Sequence, residues 1–207
     1  MNDDIVARET EILGHPPRIP ALTSAEAVRA GQQRTAQLSE AVTGFPASPA
    51  DMTVPEMLLA MLRHADLYDH LAGLSVQLIA RGALTARDRE LVVLRAAWLC
   101  QAPYEFGEHV RLAKGLAGLR ADEIDGVVVG STALAWSEHE RAVLRATEDL
   151  HERSMVADET WNILARTYDD QQLIELPVLA GQATMVAYMQ NACRFRLAPA
   201  NKGLRAR

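Results

Sequence analysis

The chain has 207 residues, of which 49% are hydrophobic and 23% charged, proportions that are ordinary for a globular protein. This length allows one sizeable core, or two smaller repeats that share one, and a net charge of −6 argues against nucleic acid or an anionic membrane as the main partner. Two distant cysteines, no secretory signal and no apolar run of eighteen residues favour a cytoplasmic protein without a membrane span.

The N-terminal quarter is predicted to be an arm followed by one helix. Residues 1–22 are rich in proline and lack periodicity, so we expect an extended arm over the body or a neighbouring subunit. Ser24 is placed to cap a helix over about 25–42, and residues 44–51 predict a linker. We therefore expect an N-terminal arm and helix over 1–50 and a helical domain over 51–207.

Three helices are predicted at the start of the main domain. Thr53 and Glu56 have the spacing of a capping box, and apolar residues at helical spacing follow them. A second helix is predicted over about 66–82, and Thr85 is placed to cap a third. The run Leu91 to Leu94 is apolar nearly all round, which predicts deep burial.

The rest of the chain also has helical patterns. Pro103 predicts a helix start that runs to Gly118, and shorter helices are predicted over 122–128 and 158–168. Ser137 and Glu140 form a second capping-box pattern before a helix to about 151. A long apolar segment follows over about 170–197, with a kink or break expected at Pro177. Only 127–129 hints at a strand, so the fold class is all-α.

Two segments begin alike, TARDRELVVLRA from Thr85 and SEHERAVLRA from Ser137. Both join a helix cap to the start of an apolar helix. The similarity leaves two interpretations open, a degenerate helical repeat and a chance match.

The candidate catalytic residues lie on the helix predicted to start at Pro103 and on the helix before it. Glu105 and His109 are four residues apart, which on a helix places them on one face with Cβ atoms about 5–6 Å apart. A carboxylate beside an imidazole is suited to general acid/base chemistry near neutral pH. Glu90 precedes the apolar run and has two possible orientations, outward beside Arg87 and Arg89 or inward toward a partner such as His109.

Other side chains near this pair are candidates for binding a substrate. Tyr104 and Trp98 are close in sequence, and Arg95 and Arg111 are either binders of an anionic substrate or ordinary helix-face cations. No metal site is predicted, because the acidic residues and histidines over 64–70 do not share one helical face. We expect His139 and His151 to face solvent and Cys100 to be a buried, inert thiol. No phosphate-binding loop or serine-hydrolase elbow is present.

The segment RDRELVVLRAAWLCQAPYEFGEHVRLAKGLAGLRADEI resembles the carboxymuconolactone decarboxylase and alkylhydroperoxidase D-like superfamily. The later segment DDQQLIELPVLAGQATMVAYMQNACRF resembles its closing helix, with Asn191 at a position that is often asparagine. The similarity covers about residues 53–197. It implies a multi-helix bundle of the alkylhydroperoxidase D-like type and a homo-oligomer, a trimer or hexamer.

The resemblance also separates two kinds of chemistry. In the peroxidase branch a glutamate precedes a CxxC pair by twelve residues and a histidine follows it by four. With His109 as that histidine, the glutamate falls on Glu90, but the cysteine positions become Ala102 and Glu105. Thiol peroxidase chemistry requires both thiols, so this alternative is disfavoured. The decarboxylase branch has a glutamate four residues before the histidine, as Glu105 and His109 are.

We therefore expect a cofactor-free acid/base enzyme that acts on a small organic acid, lactone or enolisable compound. The resemblance implies that His109 carries the proton and Glu105 orients it, with Glu90 and Tyr104 in support, and that an arginine binds the substrate's carboxylate. Tyr104, Trp98, Arg95 and Asn191 are the candidate substrate-binding residues. The alternative from another class is a non-catalytic oligomer that binds a small ligand or serves as a scaffold.

Overall fold

The computed structural model of the protein describes residues 2–207 and contains helices but no strand within that range. The all-α prediction is confirmed. The helices are α1 (Asn2–Leu13), α2 (Ala25–Thr43), α3 (Glu56–Met61), α4 (Ala65–Ala80), α5 (Ala86–Leu99), α6 (Pro103–Leu116), α7 (Ala121–Val129), α8 (Glu138–Arg153), α9 (Asp158–Leu164) and α10 (Asp170–Cys193). Within the described range no helix is both long enough and apolar enough to cross a bilayer.

The predicted extended arm over 1–22 is wrong for its first half, because residues 2–13 form α1. This helix buries Ile5 and Ile12, which lie seven residues apart on one face. Glu9 accepts a hydrogen bond from the backbone of Leu204 at 3.0 Å and forms an ion pair with Arg205 at 3.1 Å. The helix is therefore stabilised by contacts with the C-terminal end of the chain, which lies far away in the sequence.

Most predicted helix starts are confirmed, and their caps explain them. The side chains of Ser24, Thr85 and Ser137 each accept a hydrogen bond from the backbone N–H three residues later. The predicted capping box at Thr53 is wrong. There α3 begins at Glu56, after Pro55, and no side chain caps it.

Helix α5 lies at the centre of the core. Leu91, Val92 and Leu94 have no exposed surface, and the helix packs against α6, α8 and α10. Helix α10 continues through Pro177, so the chain does not break there. Residues 127–129 belong to α7 rather than to a strand. The arrangement brings α5, α6 and α10 together around the candidate catalytic residues.

Candidate active site

Three titratable side chains meet between α5 and α6. Nδ1 of His109 lies 2.8 Å from Oε2 of Glu90, and Nε2 of the same ring lies 3.5 Å from Oε1 of Glu105. The helical repeat accounts for the second contact, since Glu105 and His109 are one turn apart. The packing of α5 against α6 accounts for the first, because Glu90 is 19 residues away in sequence. The structure thus selects the inward orientation of Glu90.

Burial separates this site from an ordinary surface pair. The Glu90 side chain is 1% exposed and that of His109 is 13% exposed. Exposed ion pairs contribute little to stability, whereas groups held in the interior interact strongly and depend on one another. The three side chains are therefore a coupled, mostly buried set.

The pKa values of the three groups are shifted in different directions. Burial opposes the charge of His109, but the nearby Glu90 and Glu105 carboxyls outweigh it and raise its pKa to about 9. Burial also opposes the charge of Glu90, yet His109 and Arg89 bring its pKa below the ordinary value. Burial raises the pKa of Glu105, although His109 and a hydrogen bond from Gln190 oppose this. Near neutral pH the site holds an imidazolium, an ionised Glu90 and a carboxyl that binds protons unusually well.

Gln190 is a site residue that the sequence did not indicate. It lies on α10, is 2% exposed, and its Nε2 donates a hydrogen bond to Oε2 of Glu105 at 2.8 Å. The same nitrogen lies 3.7 Å from Sδ of Met57. The carbonyl oxygen Oε1 is buried and has no hydrogen-bond partner. No local pattern points to Gln190, because 85 residues separate it from Glu105.

Arg89 supplies a cation at the same place. Its Nε donates to Oε1 of Glu90 at 3.3 Å, and its Nη1 donates to the carbonyl of Ile79 at 3.2 Å. A guanidinium has five N–H donors, so these two bonds leave donors for a bound anion. The sequence indicates Arg89 only as a neighbour of Glu90 in the outward orientation of that carboxylate.

A cavity of about 540 Å³ lies beside these side chains. Helix α2 forms one wall through Thr35, Leu38 and Val42, and α4 and α10 contribute others. Most of the lining surface is apolar, and hydroxyl groups from α2 and α4 face the cavity together with the charged side chains of the site. Its residues are Thr35, Leu38, Ser39, Val42, Thr43, Met57, Ser75, Leu78, Ile79, Arg89, Val93, Tyr104, Glu105, Glu108, His109, Arg111, Leu112, Leu116, Leu179, Gln182, Val186 and Gln190.

Among the four candidate substrate-binding residues, the structure brings only Tyr104 to the cavity. Arg95 is buried elsewhere, where it donates to Glu148 at 3.0 Å and to the carbonyls of Val127 and Val128. Its guanidinium joins α5 to α7 and α8, so it does not face the cavity as an anion binder.

The other two candidates also lie outside the cavity. Trp98 packs against Phe106, with ring centroids 5.4 Å apart. Asn191 donates to the carbonyls of Cys100 and Gln101, in the turn between α5 and α6. Gln101 adopts a positive φ of 49° in that turn, a conformation that non-glycine residues rarely adopt. Asn191 therefore holds this turn in place, and through it the relative position of α5 and α6.

A second histidine–carboxylate pair lies outside the cavity. The expectation that His139 faces solvent is wrong, because the residue is half-buried, with Nε2 3.1 Å from Oδ2 of Asp88 and Nδ1 3.0 Å from the hydroxyl of Thr167. Its ring also makes an edge contact with Tyr168 at 4.9 Å. Sequence patterns did not indicate this contact, since Asp88 lies 51 residues away.

The cysteines do not contribute to the cavity lining. Cys100 and Cys193 are both free thiols, and burial raises the pKa of each. A raised pKa leaves little thiolate at neutral pH, and the thiolate is the reactive form. Within residues 2–207, no group of three or more His, Cys, Asp or Glu side chains is arranged to hold a metal ion. In the stretch over 64–70, Asp69 forms an ion pair with Arg34.

A model of the carboxymuconolactone decarboxylase family matches residues 65–149. This stretch contains α4 to α7 and most of α8, and with them Glu90, Glu105 and His109. No curated protein sequence matches the chain at a significant level.

Solved structures share the architecture at low sequence identity. A peroxidase-related protein from Silicibacter sp. TM1040 aligns with a TM-score of 0.71 and 13% identity over 90% of this chain and 95% of its own. A peroxidase-related protein with an alkylhydroperoxidase AhpD core, from Ralstonia eutropha JMP134, gives 0.69 and 17% over 89% and 94%. The debrominase Bmp8 in complex with 2,3,4-tribromopyrrole gives 0.70 and 17% over 88% and 92%. At these identities the likeness shows a common fold.

Proposed function

Because the chain belongs to the carboxymuconolactone decarboxylase and alkylhydroperoxidase D-like superfamily, we propose that it is a cofactor-free enzyme that catalyses proton transfer on a small organic acid, lactone or enolisable compound. The observation that carries this proposal is the buried contact of His109 with both Glu90 and Glu105 at the wall of a cavity. Proton transfer by a positioned side chain typically contributes about 10²- to 10⁴-fold to rate.

In this proposal Glu90 orients His109. An ionised carboxylate can only accept hydrogen bonds, so Nδ1–H of His109 donates to Glu90 and the other ring nitrogen faces Glu105. This differs from the assignment by sequence, in which Glu105 alone orients the imidazole. The imidazolium then offers its Nε2–H to a substrate oxygen on which negative charge develops.

Glu105 is the proton carrier of the proposed reaction. As a carboxylate it removes a proton from the carbon beside a carbonyl, and the electron pair of the C–H bond moves onto the carbonyl oxygen, which His109 stabilises. Return of that proton to another carbon completes an isomerisation. In a decarboxylation, the electron pair of the breaking C–C bond forms the same enolate as CO₂ leaves, and protonated Glu105 delivers the proton to carbon.

Gln190 suits both forms of Glu105. Its Nε2 donates to the carboxylate form, and its unpartnered Oε1 would accept the O–H of the protonated form after rotation of the amide. A buried acceptor without a partner costs about 1–3 kcal/mol, so a state that satisfies it is favoured. The amide thus reduces the difference in energy between the two states through which Glu105 must pass.

The cavity indicates the class of substrate. Its largely apolar surface favours an apolar substrate body, and Arg89 and Arg111 provide cations for a carboxylate or enolate oxygen. The debrominase with a similar fold binds 2,3,4-tribromopyrrole, a small ring, which supports a compact substrate here. Nothing in the cavity lining supports the thiol peroxidase alternative, since neither cysteine lines it.

Deuterium incorporation tests the proposal without a known substrate. A panel of small enolisable acids and lactones is incubated with the protein in D₂O, and exchange at carbon is followed by NMR. We expect exchange with the native protein, and a loss of about 100-fold or more in His109→Ala and Glu105→Gln. Retention of exchange in Cys100→Ser and Cys193→Ser would exclude thiol chemistry.

His139→Gln is the matched control. It removes the histidine of the other histidine–carboxylate contact, which is half-buried and lies outside the cavity, and we expect exchange to continue at the native rate. If His109→Ala and Glu105→Gln instead unfold or lose assembly, as judged by circular dichroism and molar mass, the pair is structural and the proposal fails. Native exchange rates in both folded variants would also reject it.

A further inference from the structure

The outward face of α10 carries no charge and repeats like a coiled-coil seam. Beyond Asp170, the exposed positions of this helix follow one another at alternating offsets of three and four. We call them the α10 stripe: Gln171, Ile174, Val178, Gly181, Met185, Tyr188 and Ala192. Alternation of three and four is the heptad spacing by which two helices keep an apolar seam in continuous contact.

Large apolar side chains on the stripe are exposed to solvent. Ile174 is 66% exposed and Tyr188 62%, with Val178 at 46% and Met185 at 40%. No Asp, Glu, Lys or Arg occurs over residues 176–193, whereas a helix face that meets water normally carries charges. From first to last residue the stripe is about 31 Å long. A continuous exposed apolar surface of this kind marks a site of protein contact.

The order of residues along the stripe is self-complementary. If two copies of α10 pair antiparallel with the two-fold axis at Gly181, Ile174 lies opposite Tyr188, and Val178 lies opposite Met185. Gly181 then meets its own copy. No atom lies within 4 Å of the position that a Cβ of Gly181 would occupy, so the two backbones can approach closely at the axis. A two-fold interface uses the same patch on both subunits.

The charges at the ends of α10 also favour antiparallel pairing. The helix begins at Asp170, and Arg194 follows its last residue. In the antiparallel register Asp170 lies opposite Ala192, two residues from Arg194 of the other copy, whereas a parallel pair would place like charges together. The two helix dipoles oppose each other in the same arrangement.

We propose that the α10 stripe is the two-fold interface between two copies of this chain, with their α10 helices antiparallel. A groove of about 450 Å³ between α8 and α10 borders the stripe, lined by Leu150, His151 and Tyr188 among others, and receives the bulky side chains of the partner. The inward face of the same helix carries Gln190 to the cavity, so one helix joins the candidate site to the interface. This inference does not depend on the proposed catalytic function.

Molar mass in solution tests the interface. The full chain and the double variant Val178→Glu/Met185→Glu are compared by sedimentation equilibrium over a range of concentrations. We expect an even number of subunits in the native protein and a twofold lower mass in the variant, with helical circular dichroism unchanged. Leu134→Glu is the control, since Leu134 is 97% exposed but lies outside the stripe, and it should keep the native mass.

Cysteine cross-linking tests the register separately, even if the double glutamate variant does not fold. In a background with Cys100→Ser and Cys193→Ser, chains with Val178→Cys and chains with Met185→Cys are expressed together and oxidised. Antiparallel pairing predicts cross-links between the two kinds of chain, and few when either is expressed alone. The proposal would be overturned by a native protein that is monomeric or has an odd number of subunits, or by a double glutamate variant of native mass. Cross-links that form as readily within one kind of chain as between the two kinds would also overturn it. Binding of a monomeric chain to phosphatidylcholine vesicles would overturn it too.

Discussion

At the scale of single residues, the electrostatic state of His109 depends on Glu90. Burial alone would lower the pKa of an imidazole, but the pKa of His109 is raised because a carboxylate lies 2.8 Å from Nδ1. The ring therefore keeps both protons at neutral pH. This is the state that allows Nε2–H to act on a substrate.

Replacement of Glu90 by glutamine should remove this support. We expect the pKa of His109 in Glu90→Gln to fall from about 9, since burial is then opposed only by Glu105. Loss of one partner of a buried pair should also cost about 3 kcal/mol of unfolding free energy. Titration of the imidazole by NMR measures the first effect and urea denaturation the second. An unchanged titration would mean that Glu90 does not control His109.

The hydrogen bond from Gln190 should affect Glu105 alone. In Gln190→Met the carboxylate loses its donor while the volume is nearly kept, so we expect the pKa of Glu105 to rise further. Carboxyl ¹³C NMR measures this shift without any substrate. Gln182→Met is the control, because Gln182 is a cavity amide on the same helix but donates to Ser75. Equal shifts in both variants would contradict a specific role for Gln190.

At the scale of helices, local caps determine where several of them begin. Thr85 caps α5, the helix that carries both Arg89 and Glu90, by accepting a hydrogen bond from the backbone of Asp88 at 3.1 Å. The cap therefore contributes to the position of the site as well as to stability.

Two threonines that look alike in sequence should differ in their contribution to stability. We expect Thr85→Ala to lower the unfolding free energy by about 1 kcal/mol. Thr53→Ala should change it by only a few tenths, because no side chain caps α3. Urea denaturation of the two variants measures both values, and equal losses would show that Thr53 caps α3 in solution.

At the scale of the whole molecule, the site should make stability depend on pH. The folded pKa of His109 is raised above its unfolded value, so its contribution is fully present below about pH 6.5 and is lost as pH rises to about 9. The raised pKa of Glu105 also makes the unfolding free energy fall as pH rises, beginning near the ordinary glutamate pKa of 4.5. The pKa of Glu90 is lowered, so its contribution to the unfolding free energy is instead lost as pH falls into the acid range.

We therefore expect the unfolding free energy to fall by about 3 kcal/mol between pH 6.5 and 9. Denaturation with urea across this range gives the slope directly. In His109→Gln, which cannot bind the proton, the fall should be much smaller, whereas His139→Gln should keep it. A native-like slope in His109→Gln would assign the pH dependence to other groups.

Local sequence patterns determined the helical class of this protein, most of its helix starts and one half of its candidate site. The contact between Glu105 and His109 follows from the helical repeat, and the caps at Thr85 and Ser137 follow from hydrogen bonds across three residues. Such features need only a few neighbouring residues, which is why they can be predicted without a fold.

Tertiary structure alone decided the rest, because contacts between distant residues depend on how helices pack. The inward turn of Glu90, the hydrogen bond from Gln190 and the capture of Arg95 by Glu148 join side chains 19, 85 and 53 positions apart. Helix α1 likewise forms where its isoleucines are buried and Glu9 contacts the C-terminal end of the chain. No short-range pattern encodes these distances, since they arise only when α5, α6, α8 and α10 close around a common core.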